Sequence, residues 1–117
     1  LLLSACDGKM AVIDSTSGKT VTSFPTGDGV DGNGFDPATG YAFASSGTGV
    51  LTIAHEDAPN KFTVVQTLKT LPSGRTMWLD AATHNVYIPV AMRTTGPNGR
   101  AQITPNTMKI LVFGMGK

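Results

Sequence analysis

The densest group of reactive side chains in this sequence is His55-Glu56-Asp57. On an extended strand alternate side chains share a face, so His55 and Asp57 would sit together, as a metal-ligand pair or an acid–base couple requires. His55, Glu56 and Asp57 are therefore the candidate metal ligands, although Asp57-Ala58-Pro59-Asn60 also reads as an ordinary polar turn. A second stretch, Asp28, Asp31, Asn33 and Asp36, offers the oxygen ligands that Ca²⁺ takes at alternating positions, but it lacks the spacing and the distal glutamate of a calcium loop. Asp36 also has a simpler role in a turn, because Asp80 repeats it. Gly27-Asp28-Gly29-Val30-Asp31-Gly32 fits the G-x-G-x-x-G pattern of phosphate loops. Such a loop must open a helix, and here a strand and Asp36-Pro37 follow, while Asp28 and Asp31 would repel phosphate. Leu3-Ser4-Ala5-Cys6 matches a lipoprotein cleavage motif without the basic segment or the long apolar run that such a signal needs. Cys6 is instead expected as a buried strand cysteine. It is the single cysteine, so it forms no intrachain disulfide. His84 stands in a turn of its own, and no G-x-S-x-G nucleophile elbow occurs. No catalytic residue and no cofactor follow from this inventory.

These residues must be positioned by strands. Among 117 residues, 15% are charged and 14 are glycine, a balance that suits many strands joined by tight turns. The formal net charge of +1 and the scattered Lys and Arg residues give no basic footprint for nucleic acid. No apolar stretch approaches the ~18 residues of a membrane-spanning helix. Val21-Thr22-Ser23-Phe24, Val50-Leu51-Thr52-Ile53 and Phe62-Thr63-Val64-Val65-Gln66-Thr67-Leu68 are short, rich in β-branched residues and bounded by turn formers. Asp7-Gly8, Ser17-Gly18, Asp28-Gly29, Thr39-Gly40, Asn60-Lys61 and His84-Asn85 reverse the chain, since Gly and Asn tolerate positive φ. No window carries a sustained 3.6-residue apolar period, so essentially no helix is expected. Trp78 and the five methionines are expected to pack in cores or between sheets.

The chain repeats. Shifted by about 40, residues 1–13 fall on residues 41–53; shifted by about 44, Phe35-Asp36-Pro37-Ala38-Thr39-Gly40-Tyr41 falls on Leu79-Asp80-Ala81-Ala82-Thr83-His84-Asn85. A period of ~40–45 residues with four strands each is the signature of a β-propeller. The predicted fold is all-β, built from antiparallel four-stranded blades and incomplete at about two and a half blades. Residues 1–30 end one blade, 31–74 form a complete blade, and 75–117 form the last, with a polar insertion at about 93–107 expected as a long, exposed, mobile loop.

Ala11-Val12-Ile13-Asp14, Ser17-Gly18-Lys19-Thr20-Val21 and Phe24-Pro25-Thr26-Gly27 resemble the repeat unit of YVTN/YncE-like β-propeller proteins, and Phe35-Asp36-Pro37-Ala38-Thr39-Gly40 resembles their first turn. The resemblance covers nearly the whole chain and implies a non-catalytic binding or scaffold module, periplasmic or extracellular in a bacterium. Its partners would be a protein, glycan or small ligand. Because propellers close with four to eight blades, it also implies completion by the remaining blades of a longer protein or by further copies of the chain. The strand Ile110-Leu111-Val112-Phe113 would then take its missing outer neighbour from the protein's N-terminus. The alternative is part of a redox or metal-dependent propeller enzyme, with His55, Glu56 and Asp57 as the groups on offer.

Overall fold

The computed structural model describes residues 1–115. It consists of strands and turns, with no helix among the described residues. β1 (Leu2–Cys6), β2 (Lys9–Ile13) and β3 (Thr20–Pro25) form a first antiparallel sheet in the order β1-β2-β3. β4 (Val30–Asp36), β5 (Tyr41–Ser46), β6 (Val50–Ala58) and β7 (Lys61–Lys69) form a central four-stranded meander. β8 (Trp78–Asp80), β9 (Asn85–Val90) and β12 (Lys109–Phe113) form the third sheet, in the order β12-β9-β8.

Residues between β9 and β12 do not form the structureless loop expected there. β10 (Arg93–Thr95) and β11 (Ala101–Ile103) pair as a separate two-stranded hairpin, fully exposed. Its turn is closed by the Gly96 N–H on Arg100 O at 2.7 Å, with Gly99 at a φ of 78°.

The turns follow from their residues. In Asp14-Ser15-Thr16-Ser17-Gly18, Asp36-Pro37-Ala38-Thr39-Gly40 and Asp80-Ala81-Ala82-Thr83-His84, the fifth residue donates its N–H to the aspartate carbonyl at 2.8, 2.8 and 2.7 Å. Each aspartate carboxylate also accepts the N–H two residues on, from Thr16, Ala38 and Ala82. The fifth residue takes positive φ in all three: 71° at Gly18, 78° at Gly40 and 62° at His84. A short acceptor side chain at the first position and tolerance of the left-handed region at the fifth are what such a turn needs.

The central sheet is covered on both faces. On one side Met10, Val12 and Phe24 from the first sheet meet Ala42, Ala44 and Ala54, with Phe24 stacked 5.8 Å from Phe62. On the other, Phe43 and Leu51 meet Met77, Val86, Ile88 and Val90. Strand alternation sends Ala42 and Ala44 one way and Phe43 the other, so a single strand, β5, supplies both cores. The third sheet can come close at β4 because glycine lies there: a Cβ at Gly32 would stand 2.7 Å from Met77 Cγ and 3.0 Å from Met77 N.

Two burial expectations are corrected. Cys6 is exposed, because β1 points Leu2, Ser4 and Cys6 away from the core and Leu3 and Ala5 toward it. Trp78 is 72% exposed on the uncovered face of the third sheet. Of the methionines only Met10 and Met77 are buried, while Met92, Met108 and Met115 are exposed.

Candidate functional site

At the turn end of the central sheet one row crosses all four strands. Asp36 pairs with Tyr41, Tyr41 with His55, and His55 with Thr63. Residues directly opposite on neighbouring strands share a face, and this row lies on the face turned toward the third sheet.

His55 and Asp57 do share one face of β6. The His55 Nδ1 lies 2.8 Å from Asp57 Oδ1, and the Thr63 hydroxyl donates to Asp57 Oδ2 at 2.6 Å. The Thr63 hydroxyl first, and then the His55 ring, hold the Asp57 carboxyl below its ordinary pKa. A carboxylate only accepts, so the Nδ1–H of His55 donates and Nε2 is left as the free position. That Nε2 lies over the turn: a Cβ at Gly40 would be 3.1 Å from it. The Tyr41 ring packs edge-on against the His55 ring at 4.9 Å. Glu56 lies between His55 and Asp57, on the opposite face by alternation.

The same row holds a second aspartate–histidine pair that the sequence does not announce. Asp36 is 1% exposed, and its Oδ2 accepts from His84 Nδ1 at 2.5 Å, across the gap between sheets. Burial works against the charge on Asp36, yet the carboxyl is held below its ordinary range by the nearby Thr39 hydroxyl, the His84 ring and the Ala38 N–H. Thr39 Oγ1 is buried and falls short of hydrogen-bond geometry, so its help is dipolar. The signal in the sequence was the repeat itself. His84 occupies the positive-φ position that Gly40 fills in the aligned turn, and a non-glycine there invites a question about its side chain.

The oxygen-rich and glycine-rich stretch around residues 27–36 does not converge. Asp36 points to His84, Asp31 lies 3.6 Å from the Arg75 guanidinium, and Asn33 donates to Leu3 O at 2.9 Å. Among the described residues no three His, Cys, Asp or Glu side chains gather at one point. The row can orient two imidazoles by their carboxylates and expose them at one end of the stack.

Beside His84 an apolar cleft of about 640 Å³ opens between β6–β7 and the third sheet, lined by Leu51, Ile53, Leu68 and Phe113. It lies beside the outer flank of β12, where among the described residues the third sheet has three strands and the central sheet a fourth, β7. No known protein family matches the chain, and neither does any curated protein or solved structure.

Proposed function

We propose that the chain is a sector of a β-propeller of the YVTN/YncE-like kind, acting as a non-catalytic binding or scaffold module of an exported protein. The observation that carries this reading is the sense of the stacking. The face of β5 that carries Ala42 and Ala44 packs on the first sheet, and the aligned face of β9, with Val86 and Ile88, packs on the central sheet. Each sheet thus offers its second face to the next. The third sheet is left with Trp78, Tyr87, Pro89, Ile110 and Val112 on its outward face, and Trp78, Tyr87 and Val112 stand in one row. Large uncovered apolar faces mark interaction surfaces, and a further sheet of the same kind suits this one. The outer flank of β12, with its apolar cleft, would take the fourth strand of that blade. The histidine row then lies at the turn end of the ring, where such modules present side chains to a protein, glycan or small ligand.

Trp78 is the only tryptophan, so its fluorescence tests the proposal. The 117-residue chain alone should emit as an exposed indole. The polypeptide extended through its upstream reading frame should show a blue-shifted, quencher-protected Trp78 while remaining monomeric. An extended protein whose Trp78 stays as accessible to acrylamide as in the short chain sinks the propeller reading.

A second reading, part of a redox or metal-dependent enzyme, draws on the two carboxylate-held imidazoles. It requires a metal bound by the extended protein that His55→Ala releases; metal analysis that finds the same content in both proteins removes it.

A further inference from the structure

The charge of this chain is segregated along its length. All eight acidic residues lie at or before Asp80, whereas Arg93, Arg100, Lys109 and Lys117 lie after it with no acid among them. Two of these cations converge on a second cleft, of about 490 Å³, at the end of the stack opposite the histidine row. Its walls are Leu71 and Pro72 from the connection between β7 and β8, Val90 at the end of β9, and Met92. Arg93 and Lys109 also line it. Neither cation has a carboxylate within 4.0 Å among the described residues, where the ion pairs are His55–Asp57, Arg75–Asp31 and His84–Asp36.

The cleft is braced. The Thr107 hydroxyl accepts the Met92 N–H at 3.0 Å and donates to Thr104 O at 2.7 Å, while the Thr104 N–H bonds Met92 O at 2.8 Å. The Ser73 hydroxyl donates to Ala91 O and ties the opposite wall to β9. Side chain and backbone thus fix the base of the hairpin, so the walls are set before a ligand arrives, which lowers the entropic cost of binding. An apolar cleft of several hundred Å³ with a few convergent polar groups is the usual form of a small-molecule site.

We propose that this cleft binds a small organic anion with an apolar body, the body lying between Leu71, Pro72, Val90 and Met92 and the anionic head meeting Arg93 and Lys109. Apolar burial supplies the affinity, and the two unpaired cations select the sign of the head group. The proposal does not depend on the propeller reading, since every residue in it belongs to this chain.

Calorimetry on the 117-residue chain, with dodecanoate below its micellar concentration as probe, tests it. Dodecanoate should bind at one site per chain with a Kd in the micromolar range, and dodecylammonium about tenfold more weakly or worse. That comparison needs no variant. The double substitution R93Q/K109Q should weaken dodecanoate about tenfold, and R93K/K109Q should recover part of that loss. In two-dimensional amide spectra the Ala91 and Thr107 signals should move. Equal binding of dodecylammonium overturns the proposal, as does a double variant that binds like the parent. Perturbation confined to Trp78 and Val112, which would place the probe on the uncovered sheet face, overturns it too. So does binding seen only with anionic lipid vesicles.

Discussion

His84 holds a backbone conformation that glycine fills in the two sister turns, and its side chain explains why the substitution is tolerated. A non-glycine residue in the left-handed region costs roughly 1 kcal/mol. A hydrogen bond to a charged, buried partner contributes about 1.5–3 kcal/mol, and at 35% exposure His84 belongs at the lower end. The bond therefore wins by a small margin. His84→Ala should lose about 1.5 kcal/mol, because it keeps the strain and drops the bond, whereas His84→Gly should lose less, about 0.5 kcal/mol. Urea unfolding of the three proteins gives that order, and a glycine variant weaker than the alanine variant contradicts it. Asp36 adds a pH dependence whose sign is fixed. Its folded pKa is depressed, so its contribution is complete above the unfolded value of about 4 and is lost as the pH falls through the lower folded value. Asp36→Asn should flatten the acid limb of the stability curve. The pair was not legible in the sequence because its members lie 48 positions apart. Alternation shows which face a residue takes, but not which sheet that face will meet. The His55–Asp57 pair was legible because its members lie two apart on one strand, where alternation alone brings them together.

The elements repeat more faithfully than their chemistry. The six turns named by their residue pairs all carry positive φ, at Asp7, Gly8, Gly18, Gly29, Gly40, Asn60 and His84. Turn residues act locally, so sequence is enough. The hairpin of β10 and β11 was not legible because Arg93-Thr94-Thr95 and Ala101-Gln102-Ile103 are only three residues each and carry no clear alternation, although the Gly96-Pro97-Asn98-Gly99 turn after Thr94-Thr95 was there to be read. The glycines that fit the G-x-G-x-x-G pattern have separate structural duties, and Gly32 is the clearest. Gly32→Ala would drive a methyl into the Met77 backbone and side chain. It should cost about 1–3 kcal/mol as the central and third sheets are forced apart. A fall in the urea midpoint with an unchanged slope is the expected result. A neutral variant would show that β8 can move aside. Pro89 sits on an inner strand for an equally local reason. Its carbonyl accepts from the Arg75 N–H beyond the end of the three-residue β8, so its missing N–H faces the side where that ladder has already ended.

The molecule is a stack with open ends. Its radius of gyration, 15.3 Å, exceeds the about 13 Å of a closed domain of similar length, and its extents are 49 × 33 × 20 Å. Burial was the least legible property, and Cys6 and Trp78 show why. A period of two assigns residues to two faces but does not say which face another sheet covers. Trp78→Ser should therefore cost this chain under about 1 kcal/mol while raising its solubility, since no sheet covers the ring and its neighbours are only Tyr87 and Val112 of its own row. A loss of more than 2 kcal/mol would mean that the third sheet is packed otherwise than described. Likewise Cys6 should react with a thiol reagent in the folded chain without prior unfolding. Protection of Cys6 would put β1 in a different register.

The two cores share only the central sheet, and this divides the unfolding of the chain. Met10, Val12 and Phe24 can separate from Ala42 and Ala44 without disturbing Leu51 and Ile88, and the reverse is equally true. Either outer sheet can therefore detach alone, whereas neither can persist without the middle one. Amide hydrogens of β5 and β6 should exchange with solvent last, in a single slow class. Those of the first and third sheets should form two faster classes that respond independently to mutation on their own side.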